Sequence, residues 1–124
     1  MQNTTLKSIP ADNLPEHVAD DERAIAALIV SELIALGYAL SVYDGEAWTV
    51  KASTDAREVC AALASTDADE IRVRDVGAVV GSVTLIWGNG NALLSDWSST
   101  ATALGSAFNA AVETLADEID ARFC

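Results

Sequence analysis

The chain has 124 residues, of which 51% are hydrophobic and two are cysteines, and its formal net charge is −12. That length fits one domain, whose folding would remove roughly two-thirds of the unfolded chain's surface from water. These values exclude a wholly disordered chain and a disulfide-stapled miniprotein, and they disfavour nucleic acid and anionic membranes as direct partners. A protein partner would more readily present a basic surface.

The start of the chain lacks apolar periodicity, so we predict a loose tail over residues 1–13 and one domain over residues 14–124. No apolar run follows a basic start, as it would in a secretory signal. Cys60 is predicted to be a small buried side chain, and Cys124 to be mobile. Neither belongs to a disulfide framework or a zinc-ligand spacing, which favours a reducing, cytoplasmic setting.

The first predicted helix spans residues 21–36, begins with acidic residues and ends before Gly37. It is apolar enough to suggest a membrane span, but Glu32 at its centre and its acidic flank argue against one. Val30 and Ile34 lie off its main apolar stripe. A helix that is apolar on two sides is deeply buried or faces a second chain. We predict that Val30 and Ile34 form a homodimer interface.

The stretch YALSVYDGEAWTVKAS has the alternation of a β-hairpin. A two-residue loop at Asp44-Gly45 would put its two apolar sets on opposite faces of the sheet. A three-residue loop ending at Gly45 instead pairs Leu40 with Trp48, so that both sets share one face. We predict this second register, with Gly45 in the left-handed conformation.

A short helix is predicted next, with Asp55 as its N-cap and Glu58 completing a capping box. The stretch DEIRVRD then alternates as a strand, with Arg72 and Arg74 on the face opposite its apolar residues. VVGSVTLIW and ALLSDWS have the pattern of two further strands, and a helix follows them. The order is α-β-β-α-β-β-β-α, which predicts an α+β domain with a mostly antiparallel sheet packed by helices.

The last predicted helix spans residues 100–122, with Ser98 or Ser99 as its cap and one apolar stripe. The face opposite that stripe, here called the acidic strip, carries Glu113, Asp117 and Asp120. Acids near the C-terminal end of a helix each cost roughly 0.3–1 kcal/mol because the helix dipole is negative there. Two explanations stay open: the acidic strip aids solubility, or it meets a basic partner.

The loop Gly88-Asn89-Gly90-Asn91 has the look of a glycine-rich phosphate loop. A dinucleotide fingerprint needs a third glycine where this chain has Leu93, and a helix where this chain has a strand pattern. The lysine of a P-loop is missing as well. We therefore predict a hairpin turn whose glycines and asparagines adopt positive φ angles, and no nucleotide cofactor.

Residue types suited to catalysis or metal binding are few. His17, the one histidine, has no obvious partner, and no serine stands in a nucleophile-elbow motif. Asp67 and Asp69 alternate as calcium ligands do, but Arg72 stands where such a loop needs glycine. We predict no catalytic residue, no metal and no cofactor.

The tryptophans Trp48, Trp87 and Trp97 fall on three predicted strands. They anchor the core or form an aromatic binding surface, and the sequence leaves both open. As partner-binding residues we predict Trp97, Arg72 and Arg74 together with the acidic strip.

Three stretches, SVYDGEAWTVKASTD, IRVRD and WGNGNALLSDWS, resemble small acidic proteins of phages, prophages and plasmids whose function is unassigned. The resemblance covers roughly residues 25–100 and implies a mobile-element origin. Such elements often carry inhibitors of host defence, some of which imitate the charge of DNA. By that analogy the chain would inhibit a defence system that binds nucleic acid.

We therefore predict a non-enzymatic, cytoplasmic interaction protein that binds a host or phage protein with a basic surface. The alternative is a small-molecule-binding domain or minor enzyme with a pocket between sheet and helices. The second face of the sheet discriminates between them. An open face with tryptophan, Arg72 and Arg74 exposed favours the first, and a closed pocket with convergent polar groups favours the second.

Overall fold

The computed structural model describes residues 10–123. Within them the α-helices are α1 (Asp20–Ala35), α2 (Ala56–Ala61) and α3 (Ala103–Phe123). The strands are β1 (Ala39–Tyr43), β2 (Trp48–Ser53), β3 (Ala68–Asp75), β4 (Ala78–Ile86) and β5 (Leu94–Ser99). Single turns of 3-10 helix lie at Pro10–Asn13 and Gly90–Ala92. The predicted α+β class is confirmed.

The five strands form one sheet in the order β2-β1-β3-β4-β5, and every neighbouring pair is antiparallel. The side chains of β3 alternate as predicted: Ile71 and Val73 are buried, whereas Arg72 and Arg74 on the other face remain partly accessible. The buried sides of α1, α2 and α3 pack against the face that carries Ile71 and Val73. In the part of the chain described, the other face carries no helix.

Helix α1 contacts α2, α3 and β1, so it is enclosed on more than one side. Val30 has 0% of its surface exposed and lies in the core. Its predicted place in a homodimer interface is therefore wrong, because the chain itself covers this side chain. Ile34 is partly buried and packs against the same core.

The hairpin β1–β2 differs from the predicted register. Tyr43 pairs with Trp48 and Val42 with Val50, while Leu40 pairs with Ser53, so that β2 bulges in two places. The loop has four residues because the Asp44 Oδ1 atom accepts hydrogen bonds from the N–H groups of Glu46 and Ala47 at 2.8 and 2.9 Å. Trp48 consequently lies on the face opposite Leu40, since each bulge shifts the alternation by one residue.

The N-cap residue of α2 is the predicted one, whereas that of α3 is not. The Asp55 side chain accepts the N–H of Arg57 as an N-cap should, but Glu58 accepts the hydroxyl of Ser53 at 2.6 Å instead of the N–H of Asp55. Helix α3 is capped by Thr102, whose Oγ1 atom accepts the N–H of Gly105 at 2.9 Å. Ser98 and Ser99 belong to β5, so their predicted capping role is wrong.

Residues 10–13, assigned above to a loose tail, form a 3-10 turn that is fastened to α1. The Arg23 guanidinium donates hydrogen bonds to the carbonyls of Ala11, Leu14 and Pro15 at 2.8, 3.1 and 2.8 Å. The side chain of Leu14 is buried. The folded part therefore begins before residue 14, and residues 1–9 lie outside the described residues.

Across residues 10–123, no helix is both long and apolar enough to cross a membrane. Cys60 is buried as predicted, and its burial raises the pKa of the thiol to about 12. Cys124 lies outside the described residues.

Candidate functional site

A groove of about 500 Å³ lies on the uncovered face of the sheet, over β1, β2 and β3. It is here called the sheet groove. Its lining consists of Ser41, Trp48, Lys51, Ala52, Arg72 and Arg74. The groove combines three cationic side chains with one indole ring, and two of its residues, Arg72 and Arg74, are partner-binding residues predicted from the sequence.

The bulge in β2 shapes the floor of the sheet groove. Ala52 adopts a φ of 50°, in the left-handed region. The Ala52 N–H donates to the Oγ atom of Ser41 at 2.8 Å, so a side chain replaces the missing ladder contact. Ser41 is buried, which places its hydroxyl at the base of the groove beside the flanking Lys51.

Arg72 occupies the centre of the uncovered face. Its guanidinium carbon lies 4.5 Å from the centroid of the Trp48 ring, a cation–π distance. The Trp48 ring in turn lies 5.0 Å from that of Tyr43, at an angle of 48°. The contact holds the guanidinium beside the Trp48 ring, and its planar set of donors suits bidentate binding of a carboxylate or phosphate.

The cations of the sheet groove lack acidic partners within the described residues. The ion pairs found there join Arg57 to Asp55 and Arg122 to Glu118, both outside the groove. Arg74 donates one hydrogen bond, to a backbone carbonyl in the β3–β4 turn, at 3.3 Å. A chain of net charge −12 therefore gathers three of its seven lysines and arginines on one face, and none of the three forms an ion pair within residues 10–123.

A second depression of about 350 Å³ continues across β3, β4 and β5. Arg72 lines both depressions and so stands between them. Ser82 and Ser98 follow Arg72 in register on the next two strands, and their hydroxyl oxygens are 3.2 Å apart. The uncovered face thus offers a cationic centre with polar hydroxyl groups beside it.

The structure separates the other predicted partner-binding residues from the sheet groove. Trp97 points toward α3, where its indole N–H donates to the Asn109 side chain at 3.0 Å. The acidic strip is exposed on the side of α3 that faces away from the sheet. The molecule therefore presents two surfaces of opposite charge on opposite sides: the acidic strip over the helix layer and the sheet groove.

The glycine-rich loop is a turn between β4 and β5, as predicted, but it also cradles an anionic group. The N–H groups of Gly88, Asn89 and Gly90 all donate to the Oε2 atom of Glu22, at 2.7, 2.9 and 3.1 Å. Gly88 and Gly90 have positive φ angles of 92° and 60°, whereas Asn89 has −106°, so the expectation for asparagine is wrong. Successive N–H groups in this geometry form an anion-binding nest, and here a side chain of α1 occupies it.

A cavity of about 530 Å³ adjoins the nest and is lined in part by His17, Glu22, Ala64 and Trp87. The Nε2 atom of His17 lies 3.1 Å from the carbonyl oxygen of Ala64, so the histidine does have a partner. The Oδ2 atom of Asp69 accepts the N–H of Ala64 and the indole N–H of Trp87, both at 2.8 Å. These bonds tie the cavity wall together.

Asp69 is 2% exposed, and its Oδ1 atom has no hydrogen-bond partner among the described residues. Burial raises the pKa of its carboxyl group, and the bonds from Ala64 and Trp87 offset part of that rise. Asp67, which alternates with it, is exposed. In residues 10–123, no three acidic, histidine or cysteine side chains come together as a metal site would require.

Comparison of the chain with known protein families, with curated proteins and with solved structures gave no match.

Sequence reasoning missed Trp48, Lys51 and Ser41 as members of the sheet groove. Trp48 was assigned to the same face as Leu40, because an unbroken alternation was assumed along β2. A signal was available in the alternative loop, which placed the two apolar sets of the hairpin on opposite faces. Lys51 could not be aligned with Arg72 without knowing that β1 lies between their strands.

Proposed function

We propose that this chain is a non-enzymatic interaction protein and that the sheet groove is its partner-binding surface. The observation that carries the proposal is the set of unpaired cations around Arg72 on a sheet face that no described helix covers. Cationic side chains that have no acidic partner among residues 10–123 are available to an anionic ligand. Arginine and tryptophan are also the residue types most enriched among the energetic centres of protein interfaces.

The shape of the surface supports binding more than catalysis. The sheet groove holds an arginine–tryptophan stack and no histidine, cysteine or carboxylate, and the hydroxyl of its one serine, Ser41, already accepts the N–H of Ala52. An open second face with tryptophan, Arg72 and Arg74 accessible is the arrangement expected of a binding protein. The resemblance to mobile-element proteins supports a host or phage protein as the partner.

A small-molecule site is the second candidate, and the cavity beside His17 is the observation that favours it. Two carboxylates beside or behind its wall already accept hydrogen bonds from the chain, Glu22 from the nest and Asp69 from Ala64 and Trp87. Glu22 Oε2 and Asp69 Oδ2 are therefore already engaged by the chain, whereas Asp69 Oδ1 has no partner among the described residues. The sheet groove is the better-supported site because its cations form no ion pair within the described residues.

A comparative capture experiment tests the proposed function. We would immobilise wild-type protein, the double variant Arg72→Glu/Arg74→Glu and the control Arg57→Glu. Each is incubated with a host-cell lysate, and the proteins that it retains are identified by mass spectrometry. Arg57 is exposed and belongs to α2, on the side of the helices. We expect a protein that binds wild type and the control but not the double variant. Equal capture by all three proteins, or no specific capture by wild type, contradicts the proposal.

A further inference from the structure

We propose that the sheet groove binds an extended acidic segment of a protein partner, with two carboxylates separated by one residue facing Arg72 and Arg74. This inference rests on the proposed function and names the chemistry of its ligand. It is argued from charge complementarity and from the spacing of the two arginines along β3.

The two arginines of the sheet groove are spaced as alternate residues of one strand. Arg72 and Arg74 lie two residues apart on β3, whose pairing with β1 is regular from Ala39–Arg74 to Tyr43–Glu70. Two such residues on one face of a strand are separated by roughly 7 Å. An extended peptide repeats its side chains on one face with the same spacing. A segment Glu-x-Glu laid along β3 therefore presents its carboxylates to both guanidinium groups at once.

Arg72 is preorganised for binding by its contact with Trp48. Arg72 is held over Trp48 at 4.5 Å, so it loses less conformational freedom on binding than a free surface arginine does. Lys51 lines the same groove and can meet a third acidic group or the carbonyl oxygens of the segment. Trp48 offers an apolar surface to a side chain beside the acidic pair.

The acidic residues beside the arginines favour a peptide over single-stranded nucleic acid as the ligand. Both ligands are anionic, and an aromatic ring beside arginine suits either. The next cross-strand row of the same face, however, carries Tyr43, Glu70, Thr84 and Asp96 in register. A phosphate at every nucleotide would pass close to Glu70 and Asp96, whereas a peptide places its acidic groups only where the arginines are.

The test uses blocked eight-residue peptides that contain two glutamates separated by one, two or three residues in one serine–leucine background. A peptide with two glutamines and the oligonucleotide dT8 complete the set. Binding to the whole ¹⁵N-labelled chain is followed by NMR titration. The indole N–H of Trp48 reports on the sheet groove, and those of Trp87 and Trp97 serve as internal controls because both are hydrogen-bonded elsewhere.

We expect saturable shifts at Trp48 that are strongest for Glu-x-Glu and absent for the glutamine peptide. Arg72→Gln and, separately, Arg74→Gln should each weaken binding roughly threefold to tenfold, the range between an exposed ion pair and a charge-assisted bidentate pair. Arg57→Gln should leave binding unchanged. Unaltered amide spectra away from the groove show that each variant is folded.

Any of the following results overturns the inference. One is the absence of saturable binding by any acidic peptide, another is tighter binding of dT8, and the third is equal binding of all glutamate spacings. Self-association of wild type that disappears in Arg72→Gln would assign the groove to a second copy instead. If capture of a partner still depends on Arg72 and Arg74 while no acidic peptide binds, this inference fails and the proposed function stands. If the double variant captures the same proteins as wild type, the proposed function fails.

Discussion

The backbone N–H of Gly88 donates a 2.7 Å hydrogen bond to the Oε2 atom of Glu22, which stands sixty-six residues earlier in the chain. Asn89 and Gly90 donate to the same atom, and the Glu22 side chain is 5% exposed. One carboxylate thus satisfies three consecutive backbone donors in the β4–β5 loop. It also joins the first turn of α1 to the far end of the sheet.

This contact explains both the glycine-rich loop and the acidic start of α1. The loop has the positive φ angles of an anion nest, but the anion belongs to the protein. Glu22 therefore does more than compensate the dipole of α1, because its carboxylate also accepts three backbone N–H groups of the β4–β5 loop. A nest of this kind has no capacity for a nucleotide while Glu22 occupies it.

We predict that Glu22→Ala lowers the free energy of unfolding by about 2–3 kcal/mol. Three hydrogen bonds to a charged acceptor are lost, but Gly88 and Asn89 are exposed and regain water, which limits the cost. Glu22→Gln should lose roughly half as much, since it keeps one acceptor oxygen without the charge. Chemical denaturation measures both values.

Added formate supplies the decisive control. It should raise the melting temperature of Glu22→Ala more than that of wild type, because only the variant has a vacant nest for the anion. Glu32→Ala, which removes an exposed acid from the same helix, should respond as wild type does. A formate response that is equal in all three proteins would mean that the loop does not act as an anion site.

Much of the fold could be predicted because it depends on local patterns. The alternation in β3 placed Ile71 and Val73 inside and Arg72 and Arg74 outside, and Gly37 ended α1 as expected, with a φ of 97°. These features follow from side-chain period and from backbone freedom. Such features can be predicted without knowing which helices and strands pack against each other.

The sheet groove could be predicted only in part, because its shape depends on irregular structure and on long-range pairing. The bulges of β2 moved Trp48 to the outer face, and an alternation pattern carries no mark of an inserted residue. The nest escaped prediction for a related reason. Its donors are in one loop and its acceptor, Glu22, is on a distant helix, so neither segment alone indicates the contact.

The buried carboxyl group of Asp69 should make stability depend on pH in a recognisable way. Its pKa is raised by burial, so the folded state takes up a proton at a higher pH than the unfolded state does. Its ionisation therefore costs stability as the pH rises above the ordinary value of about 3.9. As the pH falls toward that value from neutrality, wild type should gain stability relative to Asp69→Asn, which lacks this titration.

Urea unfolding of the two proteins across that pH range measures the difference, and the remaining carboxyl groups cancel because both proteins contain them. Asp67→Asn is the matched control, since Asp67 is exposed two residues away. A pH-independent difference for Asp69→Asn would contradict the raised pKa of its carboxyl group.

Ile34 packs against the core of its own chain, which changes the outcome expected of a charge at this position. Ile34→Glu should lower the free energy of unfolding by roughly 1–3 kcal/mol, because it loses apolar contacts and brings a carboxylate against them. Leu36→Glu, at a side chain that is 59% exposed, should cost much less. Denaturation gives these values. A fully stable Ile34→Glu variant that sediments as a smaller species than wild type would restore the homodimer interface predicted from sequence.

Reversing the charges of the acidic strip on α3 should affect the stability of the protein and its association with a partner differently. Reversing Glu113, Asp117 and Asp120 to lysine changes the net charge from −12 to −6 and places cations where the dipole of α3 favours them. The melting temperature should therefore stay equal or rise, which a thermal unfolding curve measures. If the acidic strip meets a basic partner, the association rate with a captured partner should fall and lose its salt dependence.

The control for this prediction is the triple variant Glu113→Gln/Asp117→Asn/Asp120→Asn, which removes the three charges of the acidic strip without reversing them. Its association rate should lie between those of wild type and the lysine variant. Because the acidic strip and the sheet groove lie on opposite sides of the molecule, loss of binding in the lysine variant but not in Arg72→Glu/Arg74→Glu would assign the partner to the helix layer. An association rate that is unchanged at low salt would leave the acidic strip as a solvated surface.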